Sequence, residues 1–355
     1  MTPREPRKLT VSVIVPTVGD GAVFRRSLAS IRSASPAPDE ILVVVDGEAG
    51  RALEADLGPG VVVLFTGARG GPARARNLGA RTAHGDVFLF VDADVTLGRG
   101  VVGDVVAILS DRSEFAALIG SYDSEPGETN FLSQYKNLVH HFVHQHAREE
   151  AHTFWGACGA IRRQNFLELG GFDEGYREPS VEDIELGVRL KAAGQRIALC
   201  KSIQVKHLKR WTPFSLFHSD FFCRAIPWTR LILRSGRLED DLNTDRASRV
   251  KVVLAFFLVA ALALSWPRPL VGGTLAAAAA VVLVLLDAPL LRFFYARRGW
   301  RFAVRAIPWT MFYHLYCGIG FAIGLAVHLT RRGGESMNAS RFCVVGGSVG
   351  AEATS

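Results

Sequence analysis

The chain has 355 residues, enough for one large domain or two ordinary ones. Its formal charge of +7 is modest and unconcentrated, which excludes a nucleic-acid binder built on a basic surface. Five cysteines (Cys158, Cys200, Cys223, Cys317, Cys343), odd in number and without C-x-x-C spacing, exclude a disulfide framework and a zinc knuckle and fit a reducing compartment. The apolar fraction of 49% averages two unlike parts: residues 1–250 are mixed, and 251–330 are nearly free of acids. Met1 to Thr10 is polar and basic, with no apolar core of a cleaved signal peptide.

In chain order, Thr10 to Pro16 is β-branched and apolar at its centre and predicts a first strand, stopped by Pro16, which has no N–H for a ladder. Helical spacing follows over Val23–Arg32. Gly19-x-Gly21 hints at a dinucleotide loop, but Phe24 stands where the third glycine belongs. Glu40 to Val45 predicts a second strand ending in Asp46-Gly47, and Val61–Phe65 a third. Gly70-Gly71-Pro72 then turns into a helix whose first turns carry Arg74, Arg76 and Asn77, the ingredients of an anion site. Val87 to Val91 predicts a strand buried on both faces, followed by Asp92 and Asp94. Strand–helix repetition with short connections implies an α/β, Rossmann-like, mostly parallel sheet with helices on both faces. Thr17, Asp46, Asp92 and Asp94 then fall on one edge, where such sheets bind ligands. Two adjacent acids there repel each other unless a cation intervenes.

The ordered segments Val-Ile-Val-Pro-Thr (13–17), Val-Asp-Gly (45–47), Ala-Arg-Asn-x-Gly (75–79), Phe-x-Asp-Ala-Asp (90–94), Gly170-Gly-Phe-Asp-Glu174 and Glu182-Asp183-Ile-Glu together resemble the family 2 glycosyltransferases of GT-A fold, over roughly residues 10–215. The resemblance implies a nucleotide-sugar donor (UDP-sugar favoured, GDP-sugar allowed) and a divalent cation, Mg2+ or Mn2+. By it, Asp94, with Asp92, is a metal ligand; Asp92 otherwise reaches the ribose. Pro16, Thr17, Asp20 and Asp46 line the nucleotide pocket, and Arg74 and Asn77 lie near the diphosphate. Asp183 is the general base of an inverting displacement. Trp155, Gly156, Ala157 and Glu182 face the acceptor. His207-Leu-Lys-Arg210-Trp211 is similar to the Q-x-x-R-W motif of membrane polysaccharide synthases, with His for Gln: His207 becomes a further metal ligand, Arg210 a diphosphate contact and Trp211 an acceptor contact. His140 and His144 have a zinc-compatible i,i+4 spacing, but without H-E-x-x-H or a third ligand they read as a polar helix beside the acceptor.

The organisation expected is a GT-A domain at 1–212, amphipathic interfacial helices at 213–249, a transmembrane region at 250–330 and a disordered Gly/Ser/Ala-rich tail at 331–355. Apolar runs near 250–266, 270–291 and 308–329 approach the ~20 residues of a membrane span. Arg292, Arg297, Arg298, Arg301 and Arg305 would occupy the loop between the second and third. The positive-inside rule then places the catalytic domain in the cytoplasm on a multi-pass inner-membrane protein. Parity sends the tail outside, which conflicts with Arg331-Arg332 at its start and leaves a two-span or re-entrant arrangement as the alternative. The segment Arg-Ala-Ile-Pro-Trp-Thr occurs at 224–229 and again at 305–310, each where basic sequence meets apolar. Function is expected to be transfer of a sugar to a membrane lipid or lipid-linked glycan; a polysaccharide synthase and a non-catalytic scaffold are the alternatives. No oligomeric state is readable.

Overall fold

The structure, a computed structural model, describes residues 8–48, 57–236 and 242–330; the tail expected at 331–355 lies outside them. β1 (Val11–Thr17) lies between β2 (Glu40–Val45) and β4 (Val87–Val91), with β3 (Val61–Phe65) outside β2, and all four are parallel. Beyond β4 come β8 (Cys158–Arg162), β6 (Phe115–Tyr122), β9 (Arg196–His207) and β5 (Val95–Leu97); the short β7 (Glu150–Ala151) also pairs with β9. β8 runs antiparallel to both β4 and β6, while β6 and β9 are parallel. The nine described strands therefore form one mixed α/β sheet.

Pro16 does not stop β1. Pairing with β4 ends at Ile14, whereas pairing with β2 continues to Thr17, so Pro16 lies at a tip where one side is already unpaired. Proline is tolerated in a strand at such a place.

Among the described residues six helices accompany the strands: α1 (Ala22–Arg32), α2 (Pro72–Thr82), α3 (Val101–Asp111), α4 (Phe131–His146), α5 (Arg163–Glu168) and α6 (Glu182–Ala192). Alternation along the strands splits the core in two. Val13, Val15, Val43 and Leu89 pack with α1 and α3 on one face. Ile14, Val44, Phe88 and Phe90 pack with α2, α5 and α6 on the other. Period-2 alternation in strands covered on both faces produces this division.

After β9, Thr212 forms a capping box with Ser215 and opens α7 (Pro213–Asp220), which continues through a π-helical turn (Phe221–Ala225) into α8 (Ile226–Ser235). Three long apolar helices follow: α9 (Arg246–Leu264), α10 (Pro269–Arg298) and α11 (Trp300–Thr330). Each is long and apolar enough to cross a membrane. The arginine-rich stretch 292–305, expected as a loop, is helical on both sides of Gly299, whose φ of +81° makes the break. Arginine is a good helix former, and among its neighbours only this glycine interrupts. The second Arg-Ala-Ile-Pro-Trp-Thr segment thus lies inside α11, with Pro308 within the helix.

Two polar clusters tie these helices together. Asp220 accepts from Lys136 Nζ at 2.7 and 2.9 Å, from Arg224 at 3.2 Å and from the Tyr316 hydroxyl at 2.9 Å, joining α4, α7 and α11. Asp287 of α10 lies 2.7 Å from Lys251 Nζ of α9 and 3.2 Å from His314 Nε2 of α11.

Candidate active site

The site forms where β1, β2 and β4 end, opposite the start of α6. Asp46 at the end of β2 is buried. Its carboxylate accepts from the backbone N–H groups of Gly70 and Gly71, both at 2.9 Å, and from the Thr66 hydroxyl at 3.0 Å. Gly71 has φ +86°, and a Cβ there would fall 2.5 Å from the Arg177 carbonyl oxygen, so only glycine fits this turn. The turn fixes the entry of α2 and aims Arg76 into the cleft.

Arg76 is 3% exposed and bridges the two walls. Its Nη2 donates to Asp92 Oδ1 at 2.7 Å and its Nη1 to Glu182 Oε1 at 2.8 Å. Burial opposes its charge, but Asp92, Glu182 and Asp183 outweigh that and hold the guanidinium protonated. Burial raises the Asp92 carboxyl; Arg76 opposes the shift and Asp94 adds to it. Asp94 behaves differently. Burial would raise it, but the hydrogen bond and charge of His207 win and hold it below the usual range. Asp94 Oδ2 lies 3.5 Å from His207 Nε2, and the His207 ring stacks on Tyr122 at 4.4 Å between centroids.

On the opposite wall, α6 begins with Glu182, Asp183 and Glu185, carboxylates that suit the positive end of a helix. Gly187 lets this helix press on the chain beneath, since a Cβ there would meet Phe154 N at 2.3 Å. The approach brings Asp183 Oδ2 to 2.9 Å from the N–H of Gly156. Burial, with Glu182 next to it, pushes the Asp183 carboxyl up to about 6. A carboxylate so placed is ionised near neutrality yet basic enough to take a proton.

One cavity of about 1420 Å³ contains both walls. Of the residues singled out in the sequence, it is lined by Pro16, Thr17, Asp20, Asp46, Asp92 and Asp94 at the strand ends. His207 lines it beside Asp94, and Trp155, Ala157, Glu182, Asp183 and Trp211 line it as well. Gly156 contributes through its N–H to Asp183. Asp20 is also paired with Arg25. Arg74, Asn77 and Arg210 do not line the cavity. Arg74 donates to the Thr66 carbonyl at 3.1 Å; the Asn77 side chain holds the backbone of Phe172; Arg210 pairs with Glu128 at 3.0 Å. His140 does line it, beside Trp155 at 4.8 Å, and among the described residues no three His, Cys, Asp or Glu side chains cluster as a ready metal site.

Tyr122, Lys136 and Arg224 also line it without having been singled out in the sequence, and so does Arg76, which the sequence offered only as part of an anion site. Arg76 is two positions from Arg74, about 200° around the helix. The signal was therefore present in the sequence, but the helix phase that selects between the two arginines was not.

The sheet order, the acids at its carboxyl edge and the opposing acid on α6 define a nucleotide-sugar transferase domain of GT-A type. Residues 12–170 match the family described as Glycosyl transferase family 2, and residues 136–211 match the N-terminal domain of galactosyltransferase. Residues 12–170 thus carry a domain similar to the family 2 glycosyltransferases. The polypeptide N-acetylgalactosaminyltransferase 8 of Drosophila melanogaster is 28% identical over 240 residues, which cover 59% of this chain and 40% of that protein. The O-antigen chain rhamnosyltransferase RfbN of Salmonella typhimurium is 25% identical over 236 residues, 62% of this chain and 74% of that one. Among solved structures, the mannosyltransferase PcManGT from Pyrobaculum calidifontis, in complex with GDP-Man and Mn2+, shares the fold. Its TM-score is 0.52 at 18% identity, over 89% of this chain and 87% of that one.

Proposed function

We propose that the protein is an inverting, metal-dependent glycosyltransferase that moves a sugar from a nucleotide donor to a lipid or lipid-linked glycan at a membrane surface. The observation that carries this is the reach of the cavity described above. It runs from Asp92 and Asp94 past Asp183 to the faces of α8, α9 and α11, where Trp228, Ile232, Val252, Val253, Phe256 and Phe321 line it. Its volume exceeds the roughly 300–1,000 Å³ of a typical small-molecule pocket. Positions 249, 252, 253 and 256 fall on one face of α9, and 314, 317, 318 and 321 on one face of α11. An apolar chain has room at that end while its polar head meets Asp183.

The residues present suit a hard divalent cation. Asp94 and His207 face the cavity together, and Asp92 keeps one carboxylate oxygen clear of Arg76. Mg2+ and Mn2+ are commonly held by one or two protein carboxylates plus substrate phosphates. Such an ion supplies charge neutralisation to the leaving diphosphate. Asp183 takes the acceptor hydroxyl proton as that oxygen bonds to the anomeric carbon and the carbon–diphosphate bond breaks. UDP-sugars are the favoured donors and GDP-sugars the second class. The catalytic domain faces the cytoplasm, where such donors are made.

The test is purified full-length protein in lipid bilayers, given a panel of UDP- and GDP-sugars with Mn2+ and a membrane lipid extract. A new glycolipid found by mass spectrometry supports the reading. Sugar recovered only in a soluble product or a polymer overturns it.

A further inference from the structure

By length alone α11, at 31 residues, is long enough to cross a bilayer. Its neighbours argue otherwise. Phe302 packs on Phe131 of α4 at 5.0 Å between centroids. Thr310 meets the Tyr135 hydroxyl at 3.2 Å, and Tyr316 reaches Asp220. Further along, a Cβ at Gly320 would lie 2.6 Å from Ala225, and one at Gly324 would lie 2.7 Å from Thr229. The chain from α7 through α8 therefore runs beside α11 in the same direction, with glycines four apart allowing close approach.

The far side of α8 is occupied by the catalytic domain. Trp228 and Leu231 pack with Tyr176, Val181, Ile184 and Val188. Ile184 directly follows Asp183. At the level of Gly324, then, the layer behind α8 is the helix that carries the candidate base. From Phe302 to Gly324 is about 33 Å of helix, close to the ~30 Å of a hydrocarbon core. Were α11 upright across a bilayer, Glu182, Asp183 and Arg76 would be carried to hydrocarbon depth, which charged groups strongly resist. Past Gly324 only about 9 Å of described helix remains.

We infer that α11 does not cross the membrane: it lies along the underside of the catalytic domain, against one leaflet, and its end at Thr330 stays on the catalytic side. Phe312, Ile319 and Ile323, at 42%, 45% and 37% exposure, form the outward stripe that meets lipid. The α9–α10 hairpin does not change this parity. Lys251 and Asp287 are in contact, so the hairpin leaves and returns on one side. Arg331 and Arg332 then share a side with the arginines at 292–305, and their conflict with the positive-inside rule disappears. The inference holds whatever the enzyme's acceptor.

The full chain is fused after Ser355 to a tandem alkaline phosphatase–green fluorescent protein reporter in a bacterial host, where the first is active only outside the inner membrane and the second fluoresces only inside. Fluorescence without phosphatase activity is expected; phosphatase activity without fluorescence overturns the inference. In a second measurement on the unmodified protein, trypsin is added to right-side-out vesicles. It should leave Arg331-Arg332 uncut, and cleavage there overturns the inference independently of any fusion.

Discussion

Arg76 and Glu182 form a buried ion pair at 2.8 Å, and that pair joins the strand-end wall of the cleft to the wall formed by α6. The same guanidinium holds Asp92, so one side chain sets the spacing between the two halves of the site. Removing it strands two carboxylates. Arg76→Ala is expected to lose about 3–5 kcal/mol of stability. Arg76→Lys keeps the charge but cannot form both arms of the fork. It should fold with a modest loss of melting temperature and a large loss of kcat. Thermal denaturation beside steady-state kinetics separates the two; equal kcat in Arg76→Lys and wild type would refute the bridging role.

Asp183→Asn should bind the donor normally and transfer sugar about 10²–10⁴-fold more slowly. The wild-type rate should rise with pH and level off above about 6, following ionisation of this carboxyl. The folded group holds its proton more tightly than an unfolded aspartate. Between about pH 4 and 6 the native state therefore binds the extra proton, and stability falls as pH rises through that window. Asp183→Asn should be more stable than wild type above pH 6, by about 1–3 kcal/mol. Urea denaturation at pH 4 and pH 7.5 reads this directly, and a variant less stable at both would contradict it.

Asp94→Ala should abolish Mn2+-stimulated hydrolysis of the donor, and His207→Ala should raise the Mn2+ concentration needed for half-maximal activity about 10-fold or more. Chelation with EDTA should silence the wild type reversibly. Activity that survives EDTA would mean that this acid pair serves no cation.

Asp220 is 5% exposed and neutralises Lys136 and Arg224 while receiving the Tyr316 hydroxyl. Asp220→Ala leaves two cations uncompensated and is expected to destabilise by about 3–5 kcal/mol. Because it links α4 to α11, limited proteolysis in detergent should release the apolar helices from the catalytic domain faster than in wild type. An unchanged cleavage pattern would show that the apolar contacts alone hold them.

Much of the site was legible in the sequence because it sits at strand ends. A run such as Val87–Val91 announces both the strand and where it stops, so Asp92 and Asp94 could be placed on the sheet edge. Helical residues were less legible. Arg74 and Asn77 occupy the right turn of α2, but they hold loops, and Arg76 faces the cleft. Arg210 adjoins Trp211, yet only the tryptophan turns inward. The antiparallel half of the sheet was hidden too: β8 enters between β4 and β6 from a distant part of the chain, and no local periodicity encodes that insertion. For α11, composition gave the length of a span, while its neighbours depend on Gly320 and Gly324 meeting Ala225 and Thr229.

The Lys251–Asp287–His314 cluster has a consequence for how the apolar helices assemble. Leucine, alanine and valine faces can slide past one another with little change in energy, but a carboxylate with two specific partners cannot. Shifting α9, α10 or α11 by a single turn, about 5.4 Å, would leave Asp287 unpaired in apolar surroundings. The cluster works as an index pin. It fixes one alignment out of several similar ones, and so decides which side chains of α9 and α11 end up opposite each other along the cavity.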